Sequence, residues 1–229
     1  MNQGLPLNPD PENASPALAG PPDRPLVLIV DDDAAVRTAI EELLFSVGID
    51  TAGFGSTREL LEAELPDRPG CLVLDVRMPG SSGLDLQQHF AATGNAKPIV
   101  FLTGHGDIAM TVQAMKAGAV DFLTKPVRDQ SLLDAVTAGI ERDIVLRADA
   151  HNVRRQMDRY VNLTAREREV LRHLARGRLN KQIAYDLGIS EVTVKLHRGS
   201  IRRKMAVNTV GELIRAWDVL PADLRDAGS

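Results

Sequence analysis

The chain has 229 residues, with 27 basic and 31 acidic side chains and a formal net charge of −4 at pH 7. No apolar run approaches the roughly 20 residues that span a bilayer, and the first residues lack the features of a secretory signal. A single cysteine excludes an intramolecular disulfide, so we expect a cytoplasmic protein.

The length suggests two domains, and the charge is divided unevenly along the chain. Residues 1–145 hold 21 acidic and 10 basic side chains, whereas residues 146–229 hold 10 acidic and 17 basic ones. The basic part favours a nucleic-acid partner, although two solvated surfaces would explain the charge alone equally well.

Residues 1–24 are rich in Pro, Asn, Gly and Ala without periodicity, which predicts a disordered tail. Beyond them, short apolar runs alternate with amphipathic stretches. We expect strands near 26–30, 51–54, 71–74, 99–102 and 120–123, and helices near 34–47, 57–65, 83–92, 108–117 and from 129 onward. This alternation predicts an α/β domain with a five-stranded, doubly wound parallel sheet and helices on both faces.

Polar residues stand at the ends of the predicted strands, and the carboxyl ends of parallel strands converge. One pocket should therefore hold Asp31, Asp32, Asp75, Thr103 and Lys125. Crowded carboxylates suit Mg²⁺, beside which a carboxylate can attack phosphorus while a lysine stabilises the transferring group. The favoured nucleophile is Asp75. A Mg²⁺-dependent phosphohydrolase is the alternative, but no second catalytic carboxylate is placed to release its product.

From 129 to 160 no clear break interrupts the apolar residues at helical spacing, which predicts that the last helix continues as a connector. This connector helix could either form a coiled-coil-like dimer seam or pack only within one chain, and the sequence favours the two equally. Further on, Thr164 and Glu167 form a capping box that opens a helix. A second helix begins at Asn180 and ends at Gly188, and Ser190 caps a third. The second and third helices make a helix-turn-helix.

The third helix of this part has a core face and an exposed basic face. Val194, Ile201 and Met205 should be buried. Residues 151–206 hold 14 basic and 5 acidic side chains, which favours DNA over a merely solvated basic helix. A leucine there can contact a thymine methyl, and a glycine permits close approach. We expect DNA contacts from Thr193, Lys195, Leu196, Arg198, Gly199, Arg202 and Arg203. Thr209 and Glu212 should cap a fourth helix.

The set VDDD, LDVRMPG, FLTGHGD and FLTKP resembles the receiver domain of two-component response regulators, whose flavodoxin-like sheet has the strand order 2-1-3-4-5. The resemblance implies that Asp75 is the phosphoacceptor and that Lys125 pairs with the phosphoryl group. It assigns Mg²⁺ to Asp32, Asp75 and the Arg77 backbone carbonyl, with Asp31 in the outer shell. It also implies a switch formed by Thr103 and Phe122, an open site beside Gly104, and a cis bond before Pro126.

The segments LTAREREVLRHLARG, NKQIAYDLGIS and VTVKLHRGSIRRKM look like a LuxR-type DNA-binding domain of four helices. With the receiver, the chain is similar to the FixJ/NarL family, and within it to FixJ-like members. The resemblance implies that the third helix enters the major groove and that the fourth mediates dimerisation, through Val210, Leu213, Ile214 and Trp217.

The combined prediction is a tail at 1–24, a receiver at 25–142, a helical linker at 143–160 and a DNA-binding domain at 161–229. We expect a phosphorylation-dependent transcriptional regulator that is not an enzyme, with activation favoured by family precedent. Its expected partners are a sensor histidine kinase, promoter DNA, RNA polymerase and a second copy of itself. The alternative is a constitutive DNA-binding protein whose receiver only contacts other proteins; the intact set Asp32, Asp75, Thr103 and Lys125 argues against it.

Overall fold

The computed structural model describes residues 24–78, 81–104 and 108–226. The predicted disordered tail therefore lies almost entirely outside the described residues. The chain divides into two compact units, Met1–Arg147 and Ala148–Ser229. Among the described helices, none combines the length and apolar character needed to cross a membrane.

The first unit is built on the predicted parallel sheet. Its strands are β1 (Leu26–Val30), β2 (Asp50–Phe54), β3 (Leu72–Asp75), β6 (Ile99–Thr103) and β7 (Asp121–Thr124). They lie in the order β2-β1-β3-β6-β7, and every neighbouring pair is parallel. If only the five strands of this sheet are numbered, the order is 2-1-3-4-5, as predicted. Hydrophobic clusters cover both faces of the sheet, so β1 and β3 are buried along their whole length.

The helices of this unit lie close to the positions that the sequence predicts. They are α1 (Ala34–Ser46), α2 (Thr57–Glu62), α3 (Gly83–Thr93), α4 (Ile108–Lys116) and α5 (Asp129–Val161). The second helix ends at Glu62 and is therefore shorter than the predicted 57–65, since Ala63 is already extended (φ −80°, ψ 139°). A small antiparallel ribbon of β4 (Arg77–Met78) and β5 (Ser81–Ser82) was not predicted.

Helix α5 is continuous for 33 residues, as the apolar spacing predicts. Within it, Gly139 packs against Cys71, the residue that precedes β3. A Cβ at this glycine would lie 2.8 Å from the Cβ and 3.1 Å from the Sγ of Cys71. The glycine therefore lets helix and strand approach more closely than any larger residue would allow.

The second unit is helical. It contains α6 (Ala165–Ala175), α7 (Asn180–Leu187), α8 (Glu191–Lys204), α9 (Val210–Asp218) and a short α10 (Ala222–Asp226), which was not predicted. The capping box of Thr164 and Glu167 is present, and Ser190 caps α8 as expected. At α9 the box is only half formed. Thr209 accepts from the Glu212 backbone, but the Glu212 carboxylate accepts from the Asn208 N–H, one residue before the cap.

The core of this unit confirms the predicted buried face of α8 and also includes part of α9. Val194, Ile201 and Met205 are fully buried. Leu213 and Trp217, two of the predicted dimer residues, are buried in the same core. Of the four predicted dimer residues, Val210 is exposed and Ile214 half-buried.

Candidate acidic pocket and nucleic-acid interface

The predicted pocket residues meet at the carboxyl edge of the sheet. Asp31 and Asp32 follow β1, Asp75 ends β3, Thr103 ends β6 and Lys125 follows β7. Carboxylate oxygens of the three aspartates lie within 4.8 Å of one another. Convergence of the strand ends thus produces the acidic cluster that the sequence predicts.

Lys125 connects two of these carboxylates. Its Nζ lies 2.5 Å from Asp31 Oδ2 and 2.7 Å from Asp75 Oδ2, and its backbone N–H donates to the Thr103 carbonyl at 2.7 Å. Burial raises the pKa of the Asp31 carboxyl, and the hydrogen bond from Lys125 offsets that rise only in part. Burial alone would lower the pKa of Lys125, but the hydrogen bonds to Asp31 and Asp75 outweigh it and raise that pKa.

Two neighbours of this pocket were missed by the sequence reasoning. Arg37, one turn into α1, donates from Nη1 to the Asp31 carbonyl at 2.6 Å and so closes the loop that carries Asp31 and Asp32. Gly83 begins α3, where a Cβ would lie 2.5 Å from the Asp75 carbonyl oxygen. In a sequence, an arginine in the first turns of a helix and a glycine at a helix start do not by themselves indicate a functional site. Their roles at this pocket become visible only from the contacts in the folded protein.

The oxygen donors of the pocket fit a hard divalent cation. Asp31 and Asp75 are buried, whereas Asp32 is exposed and keeps its carboxylate open to the solvent side. The Asp75 Oδ1 accepts from the Arg77 N–H at 3.0 Å, which leaves the carboxylate anchored from both sides. Carboxylate oxygens in this number are typical of Mg²⁺ sites that also retain water.

The predicted switch residues border the pocket. Thr103 is fully buried and Gly104 is exposed, and a Cβ at Gly104 would meet nothing within 4 Å. Phe122 is half-buried, with its ring centroid 6.0 Å from that of Phe101. The predicted cis bond between Lys125 and Pro126 is confirmed.

An apolar groove of about 480 Å³ lies beside Lys125 between α1 and the start of α5. Its lining includes Val36, Ile40, Leu43, Pro126, Val127 and Leu132. The groove places an apolar contact surface directly next to the acidic pocket.

The exposed side of α8 carries most of the predicted DNA contacts. Lys195, Leu196, Gly199, Arg202 and Arg203 are exposed. Three of the seven predicted residues make hydrogen bonds within the domain. The Arg198 guanidinium donates to the Asn180 side chain and that of Arg202 to the Asn208 carbonyl at 3.3 Å, and the Thr193 hydroxyl lies 2.9 Å from that of Ser190. Val192, which the sequence reasoning did not name, is exposed on the same helix.

A buried carboxylate fixes α8 against α6. Glu167 accepts from Lys204 Nζ at 2.7 Å, from the Ser200 hydroxyl at 2.6 Å and from the Thr164 N–H at 2.8 Å. Burial would raise the pKa of this carboxyl, but these hydrogen bonds outweigh it and lower the pKa to about 2. Helix α8 is thus held by a charge pair near its C-terminal end.

Both units match known families. Residues 27–137 match the family described as response regulator receiver domain, and residues 161–217 match bacterial regulatory proteins of the luxR family.

Similar proteins extend over most of the chain. Nodulation protein W of Bradyrhizobium diazoefficiens is 48% identical over 195 residues, which cover 85% of this chain and 86% of that protein. Transcriptional regulatory protein FixJ of Azorhizobium caulinodans is 41% identical over 201 residues, covering 86% and 95%. The solved structure of response regulator StyR has a TM-score of 0.75 and 45% identity, covering 85% and 98%.

Proposed function

Because the chain belongs to the response regulators of two-component systems, as a FixJ-like transcriptional regulator, we propose that phosphorylation of Asp75 controls its binding to DNA. The observation that carries this proposal is the bridge from Lys125 to Asp31 and Asp75, at 2.5 and 2.7 Å. It supplies a fixed positive charge beside the carboxylate that would accept the phosphoryl group.

Transfer from a phosphohistidine of a sensor kinase follows from this arrangement. An Asp75 oxygen attacks the phosphorus, a new P–O bond forms, the P–N bond breaks and the histidine imidazole leaves. Lys125 stabilises the transferred group. The apolar groove beside Lys125 offers the kinase a contact surface next to the reacting carboxylate.

Asp32, Asp75 and the Arg77 carbonyl would hold Mg²⁺ directly, with Asp31 acting through the outer shell. When bound, the ion supplies the charge that neutralises the transferring group. Arg37 holds the loop of Asp31 and Asp32 in place through the Asp31 carbonyl. Gly83 leaves room for the backbone of Asp75.

The phosphoryl group adds roughly −1.5 to −2 charges and strong acceptors at Asp75. The Thr103 hydroxyl would donate to it, and Phe122 would follow into the space that Thr103 leaves. The open space at Gly104 keeps the site accessible. The face of α4, β7 and α5 would then change, and this change would be the signal that regulates DNA binding.

In the DNA-bound form, α8 would lie in the major groove of promoter DNA, with its cations on the phosphates. Dimerisation on paired half-sites would use Val210 and Ile214 of α9, the predicted dimer residues that are not buried in the core. In this proposal the protein is a cytoplasmic activator of transcription that contacts RNA polymerase and is not an enzyme with a separate substrate. The proposed division is a receiver at 25–142, a linker at 143–160 and a DNA-binding domain at 161–229.

A small phosphodonor tests the phosphoacceptor. With acetyl phosphate and Mg²⁺, wild type should gain the mass of one phosphoryl group and Asp75→Asn should gain none. Asp134→Asn, an exposed aspartate on α5, is the matched control and should behave as wild type. Phosphorylation that survives Asp75→Asn, or none on wild type, would contradict the proposal. Equal DNA affinity with and without phosphodonor would instead favour the constitutive DNA-binding protein.

A further inference from the structure

Two large apolar side chains lie mostly exposed on the outer face of α8. Val192 is 66% exposed and Leu196 is 70% exposed. They are four residues apart and so lie on the same side of the helix. Val194 and Ile201, on the opposite side, are fully buried in the core. Neither Val192 nor Leu196 belongs to the hydrophobic cluster described for this unit.

Gly199 continues the same stripe three residues after Leu196. A Cβ there would meet nothing within 4 Å, so packing inside the protein does not require a glycine. A glycine inside a helix is nevertheless unfavourable by a fraction of a kcal/mol or more relative to alanine. In the proposed complex with DNA, the lack of a side chain at Gly199 would let α8 sit deep in the groove, which would bring Val192 and Leu196 to the base edges.

The position along the helix agrees with this placement. Recognition helices contact base edges mainly through their N-terminal residues, and Val192 and Leu196 occupy the first two turns of α8. Among the groups that base pairs present in the major groove, the C5-methyl of thymine is the apolar one. Four residues advance about 6 Å along a helix, which is close to two base steps of about 3.4 Å.

We propose that Val192 and Leu196 form an apolar pair that reads two thymine methyl groups, about two base pairs apart, in each half-site of the operator. This inference rests on the proposed function, since it needs α8 in the major groove. It assigns a specificity role to Val192 and predicts part of the sequence that the protein selects. The neighbouring cations Lys195 and Arg203 supply affinity through phosphates and leave this apolar readout to the pair.

The test removes one methyl at a time. The full chain, phosphorylated with acetyl phosphate and Mg²⁺, selects duplexes from a random library. Each thymine of the enriched half-site is then replaced by deoxyuridine, which lacks only the C5-methyl, and affinity is measured by fluorescence anisotropy. Two positions about two base pairs apart should each lose about three- to five-fold in affinity, the worth of one buried methyl. The other positions should change little.

Variants assign the two positions to the two side chains. Val192→Thr, which keeps the shape of valine, should abolish the uracil effect at one position, and Leu196→Gln should abolish it at the other. Val145→Thr alters a valine on α5 that is 59% exposed and should keep both effects. Because all three sites are exposed, thermal unfolding should stay close to that of wild type, which verifies that each variant is folded.

The outcomes separate this inference from the proposal beneath it. If wild type selects a sequence but no deoxyuridine substitution changes its affinity, the proposed apolar readout is wrong. The proposed function is unaffected by that result. An uracil effect that persists unchanged in Val192→Thr removes the role of Val192. A phosphorylated chain that enriches no sequence at all overturns the proposed function and this inference together.

Discussion

Two glycines inside helices illustrate how a single residue can serve packing in one place and a partner in another. At Gly139 in α5, a Cβ would lie 2.8 Å from the Cβ of Cys71, so the fold itself excludes a larger residue. At Gly199 in α8, a Cβ would meet nothing within 4 Å. We therefore attribute the glycine at 199, which is unfavourable in a helix, to the proposed approach of α8 to DNA.

Replacing Gly199 by alanine should stabilise the free protein and weaken its binding to DNA. We expect the free energy of unfolding to rise by roughly 0.5–1 kcal/mol, because alanine favours the helix. DNA affinity should fall several-fold, because the added methyl separates α8 from the groove. Urea unfolding and fluorescence anisotropy measure the two effects.

The same substitution at Gly139 is the control for the predicted change in the free energy of unfolding, because there the change should have the opposite sign. Gly139→Ala should lower the stability of the receiver by about 1–3 kcal/mol through overpacking against Cys71, and leave DNA contacts untouched. If Gly199→Ala left both the free energy of unfolding and the DNA affinity unchanged, the proposal that α8 approaches DNA closely at this glycine would be wrong.

The pocket residues differ in how far sequence alone could place them. Asp31, Asp75 and Lys125 were predictable because each stands at a strand end, and strand ends converge whatever the side chains are. Arg37 and Gly83 were not, because their roles depend on a hydrogen bond to the Asp31 carbonyl and on a 2.5 Å approach to the Asp75 carbonyl. Such contacts are set by the packing of helix on sheet, which periodicity does not encode.

At the scale of whole elements, the helix-turn-helix depends on how α6 holds α8. Glu167 caps α6 through Thr164 and also accepts from Ser200 and Lys204 near the end of α8. One carboxylate therefore stabilises a helix start and a helix–helix contact together.

Stability of the DNA-binding unit should depend on pH through Glu167. Its pKa is about 2 in the folded protein and ordinarily 4.5, so the carboxylate stabilises the fold above pH 4.5 and this contribution is lost as pH falls toward 2. We expect Glu167→Gln to reduce the free energy of unfolding by up to roughly 3 kcal/mol at pH 7. The difference from wild type should shrink between about pH 5 and pH 2.

Glu169→Gln provides the comparison, because Glu169 pairs with Arg166 on a partly exposed surface. Such pairs contribute about 1 kcal/mol or less, so this variant should stay near wild type across the pH range. A wild-type to Glu167→Gln difference that did not vary with pH would show that the charge of Glu167 is not what stabilises the contact.

Element boundaries show where local signals suffice. Thr164, Ser190 and Gly188 placed the helices of the second unit correctly, because caps and left-handed turns are local chemistry. The ribbon of β4 and β5 and the short α10 were missed, since segments of two to five residues carry no measurable period. Trp217 lies in the core of the second unit. The sequence alone does not separate this position from one at an interface, because a large apolar residue on an amphipathic helix suits both.

At the scale of the whole molecule, each unit has its own hydrophobic core. Two clusters line the faces of the sheet, and a third lies among α6, α7, α8 and α9. The chain's single tryptophan, Trp217, belongs to the third cluster. Its fluorescence therefore reports on the second unit, whereas circular dichroism reports on both.

Unfolding in urea should accordingly differ between the two probes. We expect Glu167→Gln to move the tryptophan transition to lower urea, because it weakens only the second unit. The part of the circular dichroism signal that comes from the sheet and its helices should keep its midpoint. If both signals shifted together by the same amount, the two units would unfold as one cooperative body.

The buried position of Cys71 has a practical consequence. This single thiol is fully buried beneath α5, and burial raises its pKa to about 12. It should therefore resist alkylating reagents at neutral pH. Engineered surface cysteines can then carry fluorophores or spin labels while the native thiol stays in place, so spectroscopic rulers can be attached to either unit without disturbing the contact between Cys71 and Gly139.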